Sequence, residues 1–122
     1  MNADDVGQLI LMGIPGTHVD DETATILKKV KPGGIILFGR NIKSPTQLRK
    51  LIDDIRDLCN IEPIITIDQE GGRVSRLRLI GNEPPSATEL ALKKDIKLIE
   101  KHGRENLEDT FLKIARSKNE LE

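Results

Sequence analysis

Three short apolar runs stand out in the first half of the chain: Leu9–Met12, Ile35–Phe38 and Ile64–Ile67. Each is continuous rather than alternating and is bordered by Gly or Pro, as strands buried on both faces of a parallel sheet are. Helical patterns lie between them. From Asp21 to Val30, the apolar residues Ile26, Leu27 and Val30 fit one helical face. The next segment opens with Ser44 as N-cap, Pro45 in the first turn and Gln47 as capping-box partner. Leu48, Leu51, Ile52, Ile55 and Leu58 then recur as a single apolar stripe. The order is β-α-β-α-β with short connections, which specifies right-handed parallel crossovers. A longer polar connection runs from Asp68 to about Pro85, and Ser86 and Glu89 frame a second capping box before another helix.

From Lys93 onward half the residues are charged, yet Leu107, Phe111, Ile114 and Leu121 fall on one helical face. That pattern predicts a charged helical tail with one apolar side. The chain thus divides into residues 1–91, with the α/β pattern, and residues 92–122. In parallel α/β sheets, ligands bind beyond the carboxyl ends of the strands. Here those ends carry Gly13-Ile14-Pro15-Gly16, Gly39-Arg40-Asn41 and Asp68-Gln69-Glu70-Gly71-Gly72-Arg73, so the polar chemistry gathers on one face.

Composition narrows the function classes. The formal net charge is -1 although 32% of the 122 residues are charged. Such balance gives no long-range attraction to nucleic acid or to an anionic membrane, and neither is expected as a partner. With aromatics at 2%, platforms for stacking bases are nearly absent, and Phe38 and Phe111 read as core residues. The opening MNADDVGQ has no basic stretch leading into an apolar one, so a cytoplasmic protein is the default reading. Cys59 is the single cysteine, which excludes an intrachain disulfide or a CxxC site. It closes an apolar stripe and reads as a small core residue. His18 and His102 lack companion ligands, so no metal or other cofactor is expected. Gly33-Gly34 precedes a strand rather than following one, the wrong geometry for a phosphate loop.

The most specific stretch is IITIDQEGGRVSRLR, Ile64 to Arg78. It closely resembles the strand-three signature of bacterial β-N-acetylhexosaminidases of glycoside hydrolase family 3. Two upstream stretches match in the same order: GQLILMGIPGT, Gly7 to Thr17, and GGIILFGRNIKSPTQL, Gly33 to Leu48. PPSATELA, Pro84 to Ala91, resembles the segment that comes after the signature in that family. The implied fold is α/β, a partial TIM-type (β/α) barrel of three βα units with the helical tail behind them. On the residues alone, Asp68 comes directly after a buried strand and is held at the mouth of the sheet. A carboxylate there accepts hydrogen bonds from sugar hydroxyls, and an arginine donates others. An Asp at a strand end is also commonly a loop-stabilising residue. The resemblance implies that Asp68 and Arg76 bind terminal N-acetylglucosamine, with Arg73 as a supporting ion-pair partner. Arg40 and Asn41 share the face and are expected to line it or pack the loops.

The resemblance also implies a retaining hydrolysis through a covalent glycosyl-enzyme. Its nucleophile would be an Asp late in the barrel, and its acid/base a His paired with an Asp on a mid-barrel loop. A KHFPGHG-like segment would supply further sugar contacts. These segments do not occur among the 122 residues, and a full eight-unit barrel takes roughly 200 residues or more. Asp68 and Glu70 are not taken as the catalytic carboxylates, because the family places its nucleophile elsewhere. The expectation is therefore an enzyme fragment with no catalytic residue of its own, inactive in isolation. The alternative is a non-enzymatic α/β module that binds a sugar or a partner. Unpaired strand edges predict self-association or docking of a complementing C-terminal fragment.

Overall fold

The computed structural model describes residues 6–93, and the expected tail helix with Leu107, Phe111, Ile114 and Leu121 lies outside them. Three parallel strands, β1 (Leu11–Gly13), β2 (Gly34–Leu37) and β3 (Ile64–Ile67), form one sheet in the order β1-β2-β3. Helices α1 (Asp21–Val30) and α2 (Pro45–Leu58) make the two crossovers, and α3 (Ala87–Lys93) comes after the long connection. The register pairs Met12 with Ile35 and Ile35 with Ile65, so side chains at one level share a face.

That parity sorts the sheet into two unlike sides. Met12, Ile35, Leu37, Ile65 and Ile67 meet Leu27 of α1 and Leu48, Leu51, Ile52 and Ile55 of α2 in one cluster. The α2 stripe is therefore the main cover of the sheet. Burying each of its four fully enclosed side chains contributes roughly 1.5–3 kcal/mol. On the opposite side Leu11, Gly34 and Ile64 form a layer. A Cβ placed on Gly34 would come within 2.7 Å of Leu11 Cδ1, so the Leu11 side chain would have to turn away to admit one. Leu11 is 56% exposed and Ile64 70%.

The expected strands shift by up to two residues at β1. Leu9 and Ile10 sit in a turn whose amides bond to the carbonyls of Val6 and Gly7, and pairing begins at Leu11 opposite Gly34. β2 starts one residue early and ends at Leu37, because the Phe38 N–H bonds to Asn41 Oδ1 at 2.8 Å. Burial on both faces holds for β2 alone. β1 and β3 are the edges of this sheet, and their burial is partial. In α1 the inward face is Thr23 and Leu27, while Ile26 is exposed. Ile26 lies one position round from Leu27, about 100° away, on a helix that touches the sheet along a narrow seam.

The helix ends are as specified by their polar residues, with one difference. Asp20 caps α1 by accepting from Thr23 N at 2.8 Å, and the Thr23 side chain, together with that backbone N–H, holds the carboxyl below its ordinary value. Ser44 caps α2. Gln47, however, does not reach back to Ser44. Its Oε1 accepts from Lys43 N, and its Nε2 donates to Thr17 O at 2.6 Å and Asn41 O at 3.0 Å. It ties loops together instead of closing a capping box. Ser86 and Glu89 do form the reciprocal pair before α3. Cys59 is half-buried against the core, and desolvation pushes its thiol up.

Candidate functional site at the carboxyl ends of the strands

The loops after β1 and β2 are locked to each other by one side chain. Asn41 is 0% exposed. Its Oδ1 accepts from Phe38 N, and its Nδ2 donates to Ile14 O at 3.1 Å and Gly16 O at 2.7 Å. All of its short side chain is used in packing loops, the role expected of it. The Arg40 Nε donates to Ile14 O at 3.2 Å, and its guanidinium carbon lies 4.6 Å from the centre of the Phe38 ring.

Phe38 itself corrects the sequence reading. It is half-buried and lies outside the core cluster. Because Ile35 and Leu37 point to the helices, alternation turns Phe38 to the other side of the sheet, at its mouth. There its ring faces two guanidinium groups, that of Arg40 and, at 6.0 Å, that of Arg76. The electron-rich face of a phenyl ring attracts such cations.

Asp68 sits immediately after β3. Beyond it the chain reverses in a tight loop closed by Glu70 N to Val74 O at 2.9 Å and by a Gly71–Val74 bridge. The reversal needs φ of +82° at Gly71 and +58° at Gly72, values that side chains with a Cβ rarely adopt. The segment from Pro84 to Ser86 presses on the same loop: a Cβ at Gly71 would meet Pro85 O at 2.7 Å, and one at Gly72 would meet Ser86 Cβ at 2.6 Å. The returning segment brings Arg76 Nη2 to 3.5 Å from Asp68 Oδ2. Both expected binding residues therefore meet at one place, with side chains 31% and 39% exposed. A pair this open to water stabilises a fold by less than about 1 kcal/mol. The pair lies beside Phe38 and Arg40 at the mouth of the sheet, and the Arg76 Nε is buried with no hydrogen-bond partner among the described residues.

Other expected contacts differ. Arg73 is exposed and forms no ion pair among the described residues. The arginine that stabilises the loop is Arg78, which pairs with Glu83 at 3.2 Å and donates from Nε to Ser75 O at 3.1 Å. Glu70 is exposed. Gln69 carries no distinguishing signal in the sequence, yet its carboxamide accepts from the backbone of Arg76 and Leu77 and donates to Ser75 Oγ. Among the described residues, no group of three or more His, Cys, Asp or Glu is placed to hold a metal ion. No described helix is long and apolar enough to cross a membrane.

Ligands of parallel α/β sheets bind beyond the carboxyl ends of the strands, and here those ends carry a carboxylate, two guanidinium groups and an aromatic ring. Similarity to known proteins agrees and is more specific. Residues 2–111 match the glycosyl hydrolase family 3 N terminal domain, and the chain belongs to that family. A β-hexosaminidase of Alkalilimnicola ehrlichii is 48% identical over 69 residues, 57% of this chain and 20% of that protein. One from Psychromonas ingrahamii is 40% identical over 88 residues, 72% of this chain and 26% of its own length. The chain thus spans about a fifth to a quarter of the curated relatives it matches. Among solved structures, a family 3 β-N-acetylglucosaminidase from Paenibacillus sp. superposes with a TM-score of 0.73 at 32% identity. That match covers 80% of this chain and 19% of the other. NagZ from Neisseria gonorrhoeae, in complex with N-trifluoroacetyl-D-glucosamine, gives a TM-score of 0.51 at 39% identity, over 55% of this chain and 20% of its own.

Proposed function

We propose that the chain is the opening part of a hydrolase that acts on terminal β-linked N-acetylglucosamine, and that Asp68 and Arg76 bind that sugar. The observation that carries this is the meeting of the two side chains at the mouth of the sheet, 3.5 Å apart and still open to solvent. The names of the relatives and the glucosamine derivative bound to the Neisseria protein support the choice of sugar. Asp68 would accept from vicinal hydroxyls, Arg76 would donate to a hydroxyl or carbonyl oxygen, and the Phe38 ring would limit how the sugar lies.

Binding residues hold a substrate but do not open a glycosidic bond, which needs a nucleophile and an acid/base. We therefore expect this polypeptide alone to bind without turnover. Titration of the 15N-labelled chain with N-acetylglucosamine tests the site. Shifts centred on Asp68 and Arg76, weakened at least about tenfold in Asp68→Asn and Arg76→Lys, are the expected result. Shifts that both variants leave unchanged would refute the assignment. Hydrolysis of a chromogenic β-N-acetylglucosaminide by the chain, lost in Asp68→Ala, would show that the chemistry was misplaced.

The finer reading of the fold is three βα units of a (β/α) barrel, whose inner layer is Leu11, Gly34 and Ile64. Open strand edges and that exposed apolar layer favour a second copy or a complementing C-terminal fragment. Sedimentation velocity at micromolar concentration should show association, and a compact monomer would count against it.

A further inference from the structure

We propose that Gln69 is the positioning residue that sets the Asp68–Arg76 pair, an inference that rests on the reading of that pair as the sugar site. Gln69 is next to Asp68 in the chain, and its side chain spans the loop. Oε1 accepts from Arg76 N at 2.8 Å and from Leu77 N at 3.3 Å, and Nε2 donates to Ser75 Oγ at 3.2 Å. This fixes the orientation of the amide, because the reversed one would set an NH2 against two N–H donors. The other closures of the loop, Glu70 N to Val74 O and the Gly71–Val74 bridge, hold its tip and stop short of Arg76. Among the described residues, the amides of Arg76 and Leu77 have no other acceptor. Gln69 therefore joins the segment that leaves β3 with Asp68 to the returning segment that carries Arg76, at the level where the two charges meet.

The anchorage on each side makes the clamp rigid. Gln69 comes one residue after Asp68 at the end of β3, and on the returning segment Ser75 and Leu77 are buried, Leu77 within the main core. Arg76 lies between these two buried residues, and its guanidinium carbon lies 6.0 Å from the centre of the Phe38 ring. Its backbone is held by Gln69 while its guanidinium is left to Asp68 and a ligand. Without the clamp, a side chain with several free rotors must find Asp68 from a segment that can drift, and ordering it on binding then costs more.

The test uses the full chain and arginine side-chain NMR. In the wild type the 15N heteronuclear NOE of Arg76 Nε should report an ordered group, and exposed Arg73 supplies the mobile reference. Gln69→Leu removes acceptor and donor, and the Arg76 signal should fall to that of Arg73. Gln69→Glu keeps the acceptor, since the Ser75 hydroxyl can turn to donate, and should retain the wild-type signal. Gln69→Asn, one methylene too short to reach, gives the same readout as Gln69→Leu if the leucine variant fails to fold. N-acetylglucosamine binding should weaken about tenfold in Gln69→Leu and Gln69→Asn and recover in Gln69→Glu. A rigid Arg76 in Gln69→Leu or Gln69→Asn overturns the proposal, as does a mobile one in Gln69→Glu. Sugar binding that Asp68→Asn leaves unchanged would defeat the reading of the site instead, and the NOE would still decide the role of Gln69.

Discussion

Replacing Asn41 with leucine should cost more than any other single change to the loops, although the two side chains are similar in size. Asn41 is wholly buried and makes three side-chain hydrogen bonds, all to backbone. Leucine fills the space but leaves Phe38 N–H and Gly16 C=O without a partner. Ile14 C=O still accepts from Arg40 Nε. A buried polar group left unsatisfied costs about 1–3 kcal/mol. Phe38 and Gly16 are half-buried, so water relieves part of that, and the sum should be about 2–3 kcal/mol. Small domains lose roughly 1–3 kcal/mol per molar urea. The unfolding midpoint should therefore fall by about 1–2 M with an unchanged slope. Binding should suffer as well, since Asn41 fixes the backbone of Phe38, whose ring faces Arg76. A midpoint within about 0.3 M of wild type would refute the reasoning and show the loops to be held by apolar packing alone.

Two further outcomes rest on single residues. The Asp20 carboxyl is held below its ordinary value by Thr23, so the cap stabilises the fold above the unfolded-state value and loses its effect as pH falls through the folded one. Acid unfolding below about pH 4 should accordingly be shallower in Asp20→Asn than in wild type, and parallel titrations would exclude this role. Gly71→Ala forces a Cβ onto a residue at φ +82° and to within 2.7 Å of Pro85 O. It should destabilise the chain by about 1–3 kcal/mol and uncouple Arg76 from Asp68, as read by thermal unfolding and by the Arg76 Nε signal.

Much of this architecture is legible in the sequence because it depends on periodicity. Apolar spacing alone places the α2 stripe and β3. Some of the remainder depends on contacts distant in sequence. Hydropathy extends β1 back to Leu9. Yet Gly33 packs so closely on the Gln8 backbone that a Cβ would meet its carbonyl oxygen at 2.0 Å, and there residues 8 and 9 form a turn. Thr23 faces inward in place of Ile26, and no propensity distinguishes the two until the helix is laid on the sheet. Residue type puts Phe38 in the core, whereas strand parity places it correctly. Arg73 and Arg78 look equivalent in the sequence. The reversal brings Arg78, not Arg73, onto the loop carbonyls and Glu83.

The same parity explains why the site lies where it does. Ile35 and Leu37 are committed to the helices, and Phe38 keeps the extended backbone that turns it to the opposite side. Asp68 stands two residues beyond Thr66, which pairs with Ile36 on that side. An aromatic ring and a carboxylate from neighbouring strands thus arrive together above the open layer, and the Gly71-Gly72 reversal adds Arg76 to them. A slip of one residue in β2 would send Phe38 into the core and expose Leu37, so the register that buries the apolar core also assembles the site. The open ion pair contributes little to stability, while the loop that carries it needs two left-handed glycines, close contact with Pro85 and Ser86, and the Gln69 clamp. Such constraints are out of proportion to the stability gained, and they are accounted for if the spacing of Asp68 and Arg76 is itself the function of the loop.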